Sequence, residues 1–490
     1  MKKTLLAILS FATITAGAQQ KNVFLDQAFW KTNPSVDAVK AEIAKGSNPA
    51  ESNSNAFDGV VMAINSMAPN ESIKFMLDQK GNEINKITHD SRTYIFWAAN
   101  RGNVELVEYL LSKGARIDLE DSHGTSPMGF AAGGGQANPK LYEAFFKAGA
   151  DVKILNRDGA NLLMLGIAND KDLALTNFLV SKGLSLQSAD KNGNTVFNYA
   201  ARTGNTKLLN TLLEKGVKYT DNALLMAAQG TRGTANTLEV YEYLVNLKIK
   251  PTAVNANGEN VLHILARKPN QKEIISYFIA KGVNPTQADN DGNTPFINAA
   301  ATIKDTATLS LLLGAPKNIN NTNKKGIAAL ALAVRSNSPE IVSYLLSKGA
   351  DTKITDAEGS NLASYLVQSY SEQRAAEFEA KLKLLQDKGF AVNTPQKNGN
   401  TLYHLAVAKG DLALLKRVSQ LSVDVNAKNN EGLTPLHRAA MIAKDDAILK
   451  YLLSAGAKKD LTTEFKETAF DLAVENENFS KNNIKPDFLK

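Results

Sequence analysis

The 490-residue sequence predicts an all-α solenoid, a stack of helix–turn–helix units joined by projecting hairpin turns. Three observations predict it. Turn glycines recur at near-constant spacing: Gly124, Gly159 and Gly193 lie 35 and 34 apart, and Gly258, Gly292, Gly326 and Gly359 lie 34, 34 and 33 apart. Small-residue pairs recur in phase with them, at Ala98-Ala99, Ala131-Ala132, Ala200-Ala201, Ala227-Ala228, Ala299-Ala300 and Ala439-Ala440. A heavier apolar run follows most of these pairs and stops at a glycine, as in Tyr451-Leu452-Leu453 before Gly456.

Each part of the unit has a local physical cause. Asp158-Gly159, Asn192-Gly193, Asn257-Gly258, Asp291-Gly292 and Asn398-Gly399 supply the positive-φ residue that closes a tight turn. Ser126-Pro127, Thr294-Pro295 and Thr434-Pro435 then place a hydroxyl at a helix N-cap and a preset φ at the first helical position. The alanine pairs let neighbouring first helices approach closely. The second helices carry sets such as Leu106-Val107-Tyr109-Leu110-Leu111 and end at Gly114, Gly149, Gly183, Gly216, Gly282, Gly349, Gly389 and Gly456, which suit a left-handed cap. Lysine often precedes that glycine, as at Lys113, Lys182 and Lys348, where a cation favours the carboxyl end of the helix dipole.

Together these residues resemble the ankyrin repeat family. The stretches 429–457, 289–302 and 340–359 match its pattern well, and weaker copies run from about residue 55 to the end. The resemblance implies an ankyrin-type solenoid: a curved, right-handed stack of about 12–13 helix pairs with hairpins to one side, which binds proteins and is not an enzyme. It also implies that His263, His404 and His437, at one position in three units, tie successive hairpins together.

Irregularities predict where the array departs from uniformity. The hairpin near Lys218–Ala223 lacks its glycine, so that finger should be short. Gly359 and Gly399 lie 40 apart, and the extra residues around Arg374–Phe378 read as a longer second helix. Gly133-Gly134-Gly135 lengthens one inter-helix loop. The expected organisation is a signal peptide over 1–18, an N-terminal capping repeat over 19–54, the array over 55–462 with a longer unit at 356–395, and a C-terminal capping repeat over 463–490. Terminal units of a solenoid need a polar outer face, which accounts for their degenerate sequences.

Lys2 and Lys3, the apolar run Leu5–Ile14 and Ala16-Gly17-Ala18 read as an export signal of bacterial type cut before Gln19, with an uncleaved anchor as the alternative. Periplasm or medium is the expected location, and no membrane insertion of the mature chain is expected. The sequence has no cysteine, which excludes thiol catalysis, thiolate metal sites, iron–sulfur clusters and lipid attachment at a cysteine. The net charge is +7, or about +5 without Lys2 and Lys3, with no run of five basic residues, so nucleic acid is not an expected partner. The mild positive charge fits a protein partner of acidic character, bound by a monomer.

No catalytic set, cofactor site or metal site is expected. His89 and His123 fall in adjacent hairpins without metal-ligand spacing, and Asp289 to Gly292 lacks the glutamate that a calcium loop needs. Candidates for partner contact are residues that the repeat does not need. Arg202, Arg267 and Arg335 follow the small pair in alternate units and form a candidate basic stripe, with Arg101 and Arg438 nearby; ordinary solvated charge is the competing reading. Trp97 and Met441, beside the alanine pairs, are candidate anchors, with packing between units as the alternative. The expected function is a non-enzymatic protein-binding scaffold of the bacterial envelope, working through its concave face and hairpin tips. The alternative is a secreted effector or inhibitor that binds a host or competitor protein.

Overall fold

A computed structural model describes residues 22–231 and 235–490. The expected signal peptide and its cleavage point lie outside the described residues. The chain divides into two compact units, residues 1–220 and 221–490.

The first unit holds six helix pairs among its described residues, from Gln27–Lys31 with Val36–Ala44 to Val196–Ala201 with Thr206–Glu214. The second holds eight, from Asn222–Gln229 with Leu238–Asn246 to Ala469–Val474 with Glu477–Lys481. Within each unit, first helices pack on first helices, as Tyr94–Asn100 on Pro127–Gly133 and Ala329–Ser336 on Leu362–Ser369. Second helices pack on second helices in the same way, as Val104–Ser112 on Pro139–Lys147. Two layers of helices result, an α-solenoid architecture with no named strand among the described residues.

The core follows from the sequence pattern. Ala98, Ala99, Ala299, Ala300, Ala439 and Ala440 are fully buried between first helices, where a larger side chain would hold the backbones apart. Leu106, Val107 and Leu110 of one second helix, and Ile341, Val342 and Leu345 of another, are fully buried between the layers. Burying each such aliphatic chain is worth about 1.5–3 kcal/mol. Thr294 Oγ1 and Ser126 Oγ accept from Ile297 N and Gly129 N, as N-cap hydroxyls do.

The irregular places are resolved in the same terms. Residues 217–220 run from the cap glycine to the next helix without a hairpin, so the finger expected to be short is absent. The division into two units falls at that point. The long repeat carries Ala375–Asp387, a 13-residue second helix where most others have eight or nine. The triglycine unit places five residues, 134–138, between its helices.

Candidate partner-binding surface

Many of the hairpins are built on one acceptor side chain. In the 289–293 turn, Asp289 Oδ1 accepts from Asp291 N at 2.9 Å and Asn293 N at 2.8 Å. Asp121, Asp190, Asn323, Asp356 and Asn429 accept in the same way from the residues two and four further on. The Asp289 carboxylate is thereby committed to the turn. Successive hairpins are tied by backbone bonds: Lys324 N donates to Asp291 O at 2.8 Å and Ala357 N to Lys325 O at 2.8 Å. Gly292 has φ +81°, and a Cβ there would lie 2.8 Å from Lys324 N, so close approach of the next hairpin requires glycine.

The imidazoles extend this tie. His404 Nδ1 accepts from Thr401 N at 3.1 Å, and its Nε2 lies 2.9 Å from Leu433 O in the next hairpin. His437 pairs with Thr434 N and Leu461 O at 3.1 and 3.0 Å, and His263 with Asn260 N and Asn293 O, both at 3.1 Å. Burial holds all three below the ordinary histidine value.

The residue nine positions after the turn acceptor, which precedes the alanine pair in two repeats and Leu366-Val367 in a third, braces its own hairpin when it is aromatic and polar-tipped. Trp97 Nε1 donates to Thr88 Oγ1 at 2.9 Å, Tyr199 OH to Asp190 Oδ2 at 2.9 Å and Tyr365 OH to Asp356 Oδ2 at 2.7 Å. All three bonds span nine residues. Trp97 was a candidate anchor, and this geometry corrects it: the residue is only 7% exposed, packed between Phe57 and Phe130 at 5.5 and 5.8 Å. The indole is used internally and offers little area to a partner.

Sequence reasoning missed the residue beside it. Arg92 is buried, with Nε and Nη2 donating to Asp121 Oδ2 at 2.9 and 2.8 Å and Nη1 to Asp90 Oδ2 at 3.1 Å. Its guanidinium lies 4.0 Å from the Phe130 centroid and 5.3 Å from that of Trp97, so two repeats are joined by a desolvated cation. No other unit places arginine at this point of its hairpin, and that singularity was the available signal. His89 Nε2 and His123 Nε2 each lie 3.5 Å from Asp90 Oδ2. Arg92 occupies the same oxygen, which disfavours a cation there; among the described residues no group of three His, Asp or Glu is placed to hold a metal ion.

The remaining candidates divide. Arg202 belongs to the first unit, and Arg267 and Arg335 to the second. Arg267 pairs with Glu259 of its own repeat and donates to His263 O at 3.1 Å, so part of the expected basic stripe is neutralised from within. Arg335 is half-buried, with Nε 3.4 Å from Ser336 Oγ. Arg101 is exposed and donates to Asn65 Oδ1 at 3.1 Å. Arg438 is half-buried on its first helix, and Met441 at that helix's end is 43% exposed.

Packed helix pairs with braced hairpins and a surface of variable side chains define a repeat scaffold. A family model described as ankyrin repeats (three copies) matches residues 60–138, 136–223, 224–323, 262–356, 372–463 and 403–481. The chain belongs to the ankyrin repeat family, whose repeats are typically non-enzymatic modules for protein interaction. Among curated relatives, it is 24% identical over 381 residues to the E3 ubiquitin-protein ligase KEG of Arabidopsis thaliana, covering 71% of this chain and 23% of that protein. It is 34% identical over 110 residues to the phosphocholine transferase AnkX of Legionella pneumophila, covering 22% of this chain and 11% of the other. It is 39% identical over 79 residues to protein phosphatase 1 regulatory subunit 12A of Mus musculus, covering 16% and 8%. The chain therefore spans less than a quarter of the length of each of these three relatives. Among the described residues no helix is long and apolar enough to cross a membrane.

Proposed function

We propose that this protein is an exported bacterial scaffold of the cell envelope that binds a protein partner, without covalent chemistry, through its concave face and hairpin tips. The observation that carries the reading is the division of labour within each repeat. Turn acceptors, histidines and alanine pairs are consumed by folding, whereas Arg101, Arg202, Arg335, Arg438 and Met441 vary between repeats and are not needed to form them. Lys2, Lys3 and the apolar run after them support export. We take the scaffold to act as a monomer on a partner of acidic character, in keeping with the net charge of about +5 that remains without Lys2 and Lys3.

The test is capture of a partner by the protein from periplasmic and extracellular fractions, compared with the R202E/R335E variant, which leaves the Arg267–Glu259 pair intact. The reading expects a partner retained by the natural sequence and weakened at least about tenfold by the reversal. Absence of any partner from both fractions would remove the envelope scaffold. The second reading is a secreted effector or inhibitor acting on a host or competitor protein. It is favoured by the match over 110 residues to a bacterial protein, the phosphocholine transferase AnkX of Legionella pneumophila. Host or competitor extracts in place of the cell's own fractions separate the two.

A further inference from the structure

A cleft of about 640 Å³ opens in the second unit between the hairpin at 355–361 and the segment 389–397. It lies in the long repeat and coincides with a change of register between hairpins. At the neighbouring steps, Ala357 N donates to Lys325 O and Asn430 N to Asn398 O, each acceptor preceding its turn glycine. Here Lys397 N donates to Gly359 O at 3.0 Å, one residue further along. Lys397 is thereby laid across Gly359, and a Cβ at that glycine would meet the lysine Cβ at 2.2 Å.

The lining has a definite chemistry. Phe390, Ala391 and Pro395 give an apolar floor. Lys353 and Lys397 are exposed at its edge, and among the described residues neither ammonium has an ion-pair or hydrogen-bond partner. Asp356 is the one carboxylate on the lining, and it is spent: Oδ1 accepts from Glu358 N and Ser360 N at 3.0 and 2.8 Å, and Oδ2 accepts from Tyr365 OH at 2.7 Å. The cleft therefore presents two ammonium groups and one carboxylate already engaged by three donors, a net positive lining, beside exposed Ala391 and Pro395.

We propose that this cleft receives an extended acidic peptide segment of the partner, with an aliphatic side chain on exposed Ala391 and Pro395 and flanking carboxylates on Lys353 and Lys397. The proposal rests on the protein-binding reading and assigns the chemistry of one contact. Its charge pairs are partly exposed, so binding weakens as ionic strength rises from about 0.05 M to about 0.5 M.

The experiment is fluorescence anisotropy of a fluorescein-labelled Glu-Glu-Leu-Glu-Glu peptide against the full chain, the K353E/K397E variant and the A391W variant. The tryptophan fills the cleft from an exposed position and removes nothing from the core. Saturable binding is expected for the natural sequence, at least about tenfold weaker in both variants and for a peptide with Gln in place of Glu. No saturable binding below about 1 mM, or equal binding by both variants, overturns the proposal. Competition by glutarate as strong as that of the peptide overturns it in favour of a small-acid site. Circular dichroism of each variant separates loss of binding from loss of fold, and A391W serves where the double reversal unfolds. Retention of a captured partner by both variants would leave the scaffold reading intact while removing this contact.

Discussion

The hydrogen-bond partners of His437 favour its neutral form with the proton on Nε2. Leu461 O can only accept, so Nε2 carries the proton; Thr434 N can only donate, so Nδ1 must be bare. A second proton would set N–H against N–H in a buried site. Burial accordingly depresses the folded-state value at His437, as at His263 and His404. A histidine depressed in the fold contributes stability that is full above its unfolded value near 6.5 and is lost as pH falls through the folded value. Thermal stability should therefore decline from pH 7.5 toward pH 5. His437→Gln should cost about 1–3 kcal/mol at pH 7.5 and less at pH 5. Denaturant titrations at the two pH values check both, and an equal cost at each would refute the linkage. The three histidine roles were legible through the family resemblance, to which the residues' shared position in three units points. The burial of Trp97 was not, because Phe57 and Phe130, which cover it, lie 40 and 33 residues away.

At the scale of one helix, the unmet need is at the carboxyl end, where carbonyls lack intrahelical partners. Side chains from the following repeat meet it. Asn337 Nδ2 donates to Ala300 O at 3.0 Å and Ile303 O at 2.8 Å, and Asn476 Nδ2 to Ala440 O and Ala443 O at 2.9 and 3.0 Å. Lysine replaces asparagine elsewhere: Lys409 Nζ reaches Val367 O at 2.7 Å and Tyr370 O at 2.6 Å. Lys381, 1% exposed on the long second helix, donates to Val334 O at 3.0 Å, and burial lowers its affinity for the proton. Asn337→Ala should leave two buried carbonyls unpaired, at a cost of about 1–3 kcal/mol. Hydrogen exchange should then show lost protection in Pro295–Ala300 and Ala329–Ser336, with distant helices unchanged. On the opposite layer, Phe178 and Lys182, Tyr277 and Lys281, and Tyr344 and Lys348 place an ammonium 5.1–5.6 Å from a ring centroid four residues earlier. The lysines expected to serve the helix dipole thus also shield an aromatic face.

Over the whole molecule, stability is a sum of repeats and the interfaces between neighbours. The last repeat is then a cover. Phe479 and Leu489 are nearly fully buried in it, and Ala469–Val474 packs on Pro435–Ile442. Deleting residues 463–490 should expose the apolar flank of that helix, lowering the melting temperature and causing concentration-dependent association. A light-scattering profile unchanged by the deletion would refute the capping role.

The sequence by itself determined the repeat, its period, the helix pairs and the family. Those features rest on glycine, proline and small residues whose backbone and size constraints act locally and recur in phase. Only the tertiary structure decided which polar groups remain for a partner. Arg267 is paired with Glu259 inside its repeat, Trp97 is folded into a cluster across three repeats, and Lys353 and Lys397 line a cleft with no ion-pair partner among the described residues. Pairing of that kind depends on distances between residues eight to forty positions apart, which a local pattern does not encode.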